Sequence, residues 1–150
     1  MTSHALWHLG ALWEFKLHSE QTDGALCVAE QLLPKGFAPP VHTHTREDEA
    51  WMVIDGAVRF FLGDDDHVAN KGDWVYGPRD AKHTFLVESS TARVLTLITP
   101  GAVEQFFHET GAPAGALELP PPPDGPPDVE ALMSAMQTYG VEFVAPPPHL

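Results

Sequence analysis

Up to Pro100, apolar side chains fall in short runs separated by turn-forming clusters. Ala11-Leu12-Trp13-Glu14-Phe15-Lys16-Leu17 alternates in part and stops near Thr22-Asp23-Gly24. A second run from Ala25 to Leu33 closes at Pro34-Lys35-Gly36. Ala50 to Ile54 and Ala57 to Leu62 flank Asp55-Gly56. Asp-Gly between apolar runs is a strong hairpin signal, because tight hairpin turns need positive φ and these residues tolerate it. Trp74-Val75-Tyr76, Thr84 to Val87 and Arg93 to Thr99 complete the set. Many short strands at this spacing predict a sandwich or a barrel.

Beyond Pro100 the pattern changes. Ala102 to Thr110 reads as helix, stopped by Gly111 and Pro113. Pro120-Pro121-Pro122-Pro123-Asp124-Gly125-Pro126-Pro127 lacks the amide donors of a helix interior or a central strand and predicts an extended connector. Asp128 suits the N-cap of a helix over Val129 to Tyr139, with Gly140 to close it and Leu132, Met136 and Tyr139 as its apolar stripe. The expected organisation is a β-barrel with N-terminal strands over residues 1–115. A Pro-rich connector and a C-terminal helix packing on the barrel follow over residues 116–150, as a lid over an open edge or as a dimer contact.

Composition narrows the function classes. The chain has 150 residues, of which 43% are hydrophobic, enough for one core. Its formal net charge is -13, with only eight Lys and Arg scattered from Lys16 to Arg93. Nucleic acid and anionic membrane surfaces repel such a chain. Cys27 is the single cysteine, so no disulfide forms within the chain. Met1 to Leu17 lacks the basic-then-apolar pattern of a secretion signal, and no run approaches the roughly 18 apolar residues of a membrane span. The expectation is a cytoplasmic protein with a small-molecule partner.

The candidate chemistry starts at His42-Thr43-His44, since imidazoles two apart on a strand share a face and can converge on one metal ion. The spacing around them extends further: Gly36, five residues, His42-x-His44, four residues, Glu49, six residues, Gly56. A second array follows as Gly72, five residues, Pro78, then His83. These two arrays resemble the paired motifs of the cupin superfamily. Asp80 stands where that family has glycine, and Val87 where it usually has asparagine. Asp enters the left-handed region more readily than most residues, so the turn can survive.

The resemblance implies an all-β fold, an antiparallel double-stranded β-helix (the cupin jelly-roll barrel), with a short C-terminal helical tail. It implies one divalent metal ion per chain on His42, His44, Glu49 and His83. Nitrogen and oxygen donors without thiolate suit Fe, Mn, Ni, Co, Cu or Zn, and the sequence does not choose among them. An unbroken strand would instead put Asp48 on the face of His42 and His44, so Asp48 and Glu47 remain alternatives unless the polar stretch Thr45 to Asp48 bends. The chain is further similar to small quercetin dioxygenase-like cupins. This implies dioxygen chemistry on an enolisable or phenolic substrate, with Glu49 as the catalytic proton acceptor and a homodimeric assembly. The alternative is a metal-containing binding or sensor module without turnover. Trp51 and Val53, alternating after Glu49, and Phe85 beside His83 are the expected pocket walls. Leu6 to Leu17 is expected to expose aromatics that cover a sheet edge in the dimer. His4, His8, His18, His67, His108 and His149 lack partners at ligand spacing, and Asp64-Asp65-Asp66 reads as a solvated hairpin tip.

Overall fold

A computed structural model describes residues 4–150. Among these residues, twelve strands form two sheets with wholly antiparallel pairing. In chain order they are β1 (Ala5–His8), β2 (Ala11–Leu17), β3 (Cys27–Pro34), β4 (Val41–His44), β5 (Asp48–Asp55) and β6 (Ala57–Leu62). Then come β7 (Asp65–Asn70), β8 (Trp74–Gly77), β9 (His83–Val87), β10 (Thr91–Thr99), β11 (Ala112–Pro113) and β12 (Val141–Ala145). Helices α1 (Glu104–Thr110) and α2 (Val129–Thr138) complete the fold. One sheet runs β11-β1-β2-β3-β10-β5-β8 and the other β12-β4-β9-β6-β7.

The strand alternation sets what lies between the sheets. Along β3, β5 and β10, every second residue is buried, as period-two side-chain direction requires of a sheet with one wet face. The inward set includes Phe15, Leu33, Trp51, Val53, Phe60 and Val87, all at most 2% exposed. Burying a side chain of this size contributes about 1.5–3 kcal/mol, so this layer dominates the fold's stability. The β5–β6 hairpin turns on Asp55-Gly56 as its sequence predicts. Gly56 has φ 94°, and a Cβ there would sit 2.6 Å from the Thr91 carbonyl oxygen, so no other residue fits.

Four strands escape the hydrophobic pattern. β1 and β11 are short. β7 begins inside the acidic triplet: Asp65 and Asp66 pair with Leu62 and Phe61, so only Asp64 is left at the hairpin tip. Arg59 Nη1 donates to Asp66 Oδ2 at 2.7 Å across the hairpin, which offsets the acidic crowding. β12 pairs with β4, placing Val141 opposite His44 and Phe143 opposite His42. The tail thus extends the sheet that carries the candidate ligands. Residues 119–128 carry no regular structure, in keeping with their prolines. Asp128 caps α2, its Oδ1 accepting from Ala131 N–H at 3.0 Å, and Gly140 ends it at φ 71°.

The N-terminal aromatics differ from expectation. Trp13 and Phe15 are buried, because β2 is an interior strand of its sheet and turns them toward α1. Trp74 and Tyr76, on the edge strand β8, carry the exposed aromatic surface instead, at 62% and 58%.

Candidate metal centre

Each candidate ligand is placed by its strand. β4 directs His42 and His44 to one face. The chain then leaves the strand over Thr45 to Glu47, where Thr45 N–H and Oγ1 both bond the Gly140 carbonyl, at 2.9 and 2.7 Å. This bend resets the alternation. When β5 starts, Asp48 faces outward and accepts the Arg79 amide at 2.7 Å, while Glu49 points inward at 6% exposure. His83 opens β9 directly opposite His42. Asp80, in the turn before it, holds φ 68° and gives its N–H to the His44 carbonyl at 2.9 Å. The residue that departs from the family's glycine therefore adopts the glycine-like conformation.

His42, His44, Glu49 and His83 bring one donor atom each within 4.8 Å of one another. Carbonyls and a carboxylate behind the rings orient them. His42 Nδ1 donates to the Pro40 carbonyl at 2.6 Å, His83 Nδ1 to the Ala81 carbonyl at 3.1 Å, and His44 Nδ1 to Glu47 Oε1 at 3.3 Å. With Nδ1 committed in all three, each ring is left with Nε2 as its free ligand position, the arrangement that metal-ligating histidines use. Glu47 thus holds a ring in place and Asp48 stands outside the cluster.

The electrostatics describe the same site. Burial opposes charge on His44, but the Glu49 carboxylate and hydrogen bonds donated to Glu47 and Glu49 outweigh it and raise the imidazole to about 10. Burial likewise opposes charge on Glu49, yet the adjacent His44 holds it down to about 2. His44 Nε2 lies 2.5 Å from Glu49 Oε1. Burial, reinforced by the neighbouring imidazoles, lowers His42 to about 3, and burial lowers His83 too.

Among the described residues, His83 Nε2 is buried without a hydrogen-bond partner. An orphaned lone pair beside two further inward Nε2 atoms and a carboxylate fits a divalent cation. Three neutral imidazoles and one carboxylate would leave such an ion with one unit of positive charge and, at six coordination, two open positions.

The cluster lies at the base of a cavity of about 360 Å³, within the range of small-molecule sites. Trp51 and Phe85 line it, as the strand alternation suggests. Val53 does not: it is fully buried in the core, one further inward position along β5. The remaining walls come from remote segments that spacing gives no means of assigning: Trp13 and Gln31 from β2 and β3, Phe37 from the loop before β4, Phe106 and Phe107 from α1, and Leu132 and Met136 from α2. Gln31 Nε2 donates to Thr96 Oγ1 at 2.8 Å, so this buried amide is held in place. The C-terminal helix therefore roofs the cavity.

Residues 29–99 match the family model described as Cupin domain. Together with the two-sheet jelly roll and the motif spacing, this match supports a cupin superfamily protein. Over 94 residues it is 26% identical to quercetin 2,3-dioxygenase of Bacillus subtilis, covering 63% of this chain and 28% of that enzyme. The chain thus spans well under a third of that relative. Among solved structures, KdgF from Halomonas sp. superposes with a TM-score of 0.56 at 21% identity, covering 61% of this chain and 79% of that one. Oxalate decarboxylase from Bacillus subtilis superposes at 0.58 and 21% identity, covering 67% and 28%. At these identities the structural matches establish the fold alone.

Proposed function

We propose that this chain is a metal-dependent dioxygenase acting on a small enolisable or phenolic substrate. The observation that carries the reading is the convergence of three imidazole Nε2 atoms and one carboxylate on the floor of an aromatic-walled cavity. His42, His44 and His83, through Nε2, and Glu49, through its carboxylate, would hold the ion. A divalent metal bound there supplies Lewis acidity and open coordination positions for oxygen ligands. The likeness to quercetin 2,3-dioxygenase supports oxygen chemistry over the other reactions that this fold hosts.

The protein's own groups divide the remaining work. Among the described residues lining the cavity, Glu49 supplies the only carboxylate, and it accepts the proton of an enol or phenol. Glu47, the Pro40 carbonyl and the Ala81 carbonyl keep the rings in register. Phe37 and Phe85, with ring centroids 5.9 Å apart and planes 30° off parallel, form a flat wall for a planar ligand. Leu132 and Met136 exclude water from above.

The test is reconstitution of the purified chain with Fe, Mn, Ni, Co, Cu or Zn in turn, followed by oxygen-consumption assays on flavonols, diketones and catechols. One metal per barrel cluster, lost in His44→Ala, with oxygen uptake abolished in Glu49→Gln, supports the reading. Tight binding of these compounds with no uptake under any metal replaces it with a binding module. We also propose a homodimer. Exposed Trp74 and Tyr76 on the unpaired edge of β8 support it, and light scattering at micromolar concentration reads it directly.

A further inference from the structure

A second group of histidines and a carboxylate lies outside the barrel. His18 follows β2, and Glu104 and His108 sit one helical turn apart on α1, where positions i and i+4 share a face. All three place a donor atom within 4.8 Å of one another. His18 Nδ1 and His108 Nε2 both approach the same oxygen, Glu104 Oε2, at 2.6 and 2.8 Å. Glu104 Oε1 accepts the Ser19 amide at 2.8 Å, which fixes the carboxylate's orientation. Phe15 stacks on both rings, with centroids 5.5 Å from His18 and 5.0 Å from His108, and holds their planes 29° apart. The Glu104 side chain is 1% exposed and that of His108 11%, so the cluster is buried with His108 the less covered of the two.

We propose that His18, Glu104 and His108 form a second divalent-cation site, of the two-imidazole, one-carboxylate kind that suits Zn(II). Two imidazole nitrogens from separate segments converge on one carboxylate oxygen, and Phe15 stacks on both rings, so three donor groups of metal-ligand type are gathered at one buried point. An ion there replaces two hydrogen bonds by three metal bonds and turns the cluster's net charge from negative to positive in a chain of formal charge -13. His44 Nε2 and Glu49 Oε1 in the barrel show the same close approach of imidazole to carboxylate, at 2.5 Å. The site's role is structural. Phe106 and Phe107, between Glu104 and His108 on α1, line the barrel's cavity, so an ion clamping α1 to the end of β2 stiffens that wall.

The experiment uses the full chain with the barrel cluster disabled by His44→Ala and Glu49→Gln, so that it is independent of the proposed function. Zinc is titrated by calorimetry and counted by elemental analysis after dialysis against buffer containing 1 equivalent. The site predicts one zinc per chain in this background and a thermal midpoint that rises with zinc concentration. Adding His18→Gln, which keeps a polar partner for Glu104, removes the zinc and that dependence. His108→Gln does the same, at least about tenfold in affinity. Circular dichroism confirms that each variant is folded. Should His18→Gln lose its structure, Co(II) loaded into the His44→Ala, Glu49→Gln background gives the decision from its absorption spectrum, where nitrogen–oxygen coordination has visible bands. The proposal is overturned if that folded background binds no zinc and no cobalt, or if His18→Gln and His108→Gln together leave the stoichiometry at one.

Discussion

Two His/Glu clusters of similar composition are built in opposite ways in this molecule. His42, His44, Glu49 and His83 project from strands onto the floor of a cavity, and one of their nitrogens, His83 Nε2, has no hydrogen-bond partner among the described residues. His18, Glu104 and His108 join a strand end to a helix, away from the cavity, with every carboxylate oxygen engaged. An incomplete donor set facing open space is arranged to meet a ligand. A set that joins two elements is arranged to hold them together, with the proposed ion as the clamp. The same residue types thus do different work, and position relative to the cavity separates the two roles.

The largest expected effect falls on the open cluster. Glu49→Gln should lower oxygen uptake at least about 100-fold by removing the proton acceptor, while the melting temperature changes little, read by steady-state assay and calorimetry. On the closed cluster the order reverses. Glu104→Ala leaves two imidazoles and the Ser19 amide without their acceptor inside a buried site, and should cost about 3 kcal/mol of unfolding free energy. Urea denaturation measures it, and equal losses from Glu49→Gln and Glu104→Ala would erase the distinction between the clusters.

His8 stands between them, on the cavity wall beside Phe106 and Phe107. Burial lowers its imidazole to about 4. The folded state therefore stays neutral where the unfolded chain, near 6.5, has taken a proton. The unfolded state binds more protons, so stability is full above about pH 6.5 and falls progressively towards pH 4. The loss is about 3 kcal/mol at its limit. Denaturation of wild type and His8→Phe at pH 7 and pH 4.5 should show a smaller drop in the variant. A smaller effect is expected at the roof: Met136→Ala should raise KM a few-fold with kcat nearly constant, since it removes uniform contact with the ligand. Smallest of all, Asp48→Ala should leave metal content unchanged and stability within about 0.5 kcal/mol, because that side chain faces outward.

Most of the barrel is readable from the chain. β2, β3, β5, β6, β8, β9 and β10 declare themselves through apolar runs and turn residues, because each buries one face against a common core. β7 and β12 do not, since edge strands with largely exposed side chains carry little periodicity. The four residues at the cavity floor are close in sequence or tied to motif spacing, so local strand geometry brings them near one another. Whether Asp48 or Glu49 turns inward depends on a three-residue bend whose shape is set by a bond to Gly140, at the far end of the chain.

Local pattern and motif spacing therefore carry the fold class and the floor of the cavity, where the interactions involved span one or two strands. Its walls and roof, and the meeting of His18 with residues on α1, were decided by packing between segments more than eighty positions apart. Such contacts follow from which apolar faces remain unburied once the barrel closes. That is a property of the assembled surface, and no local run of residues encodes it.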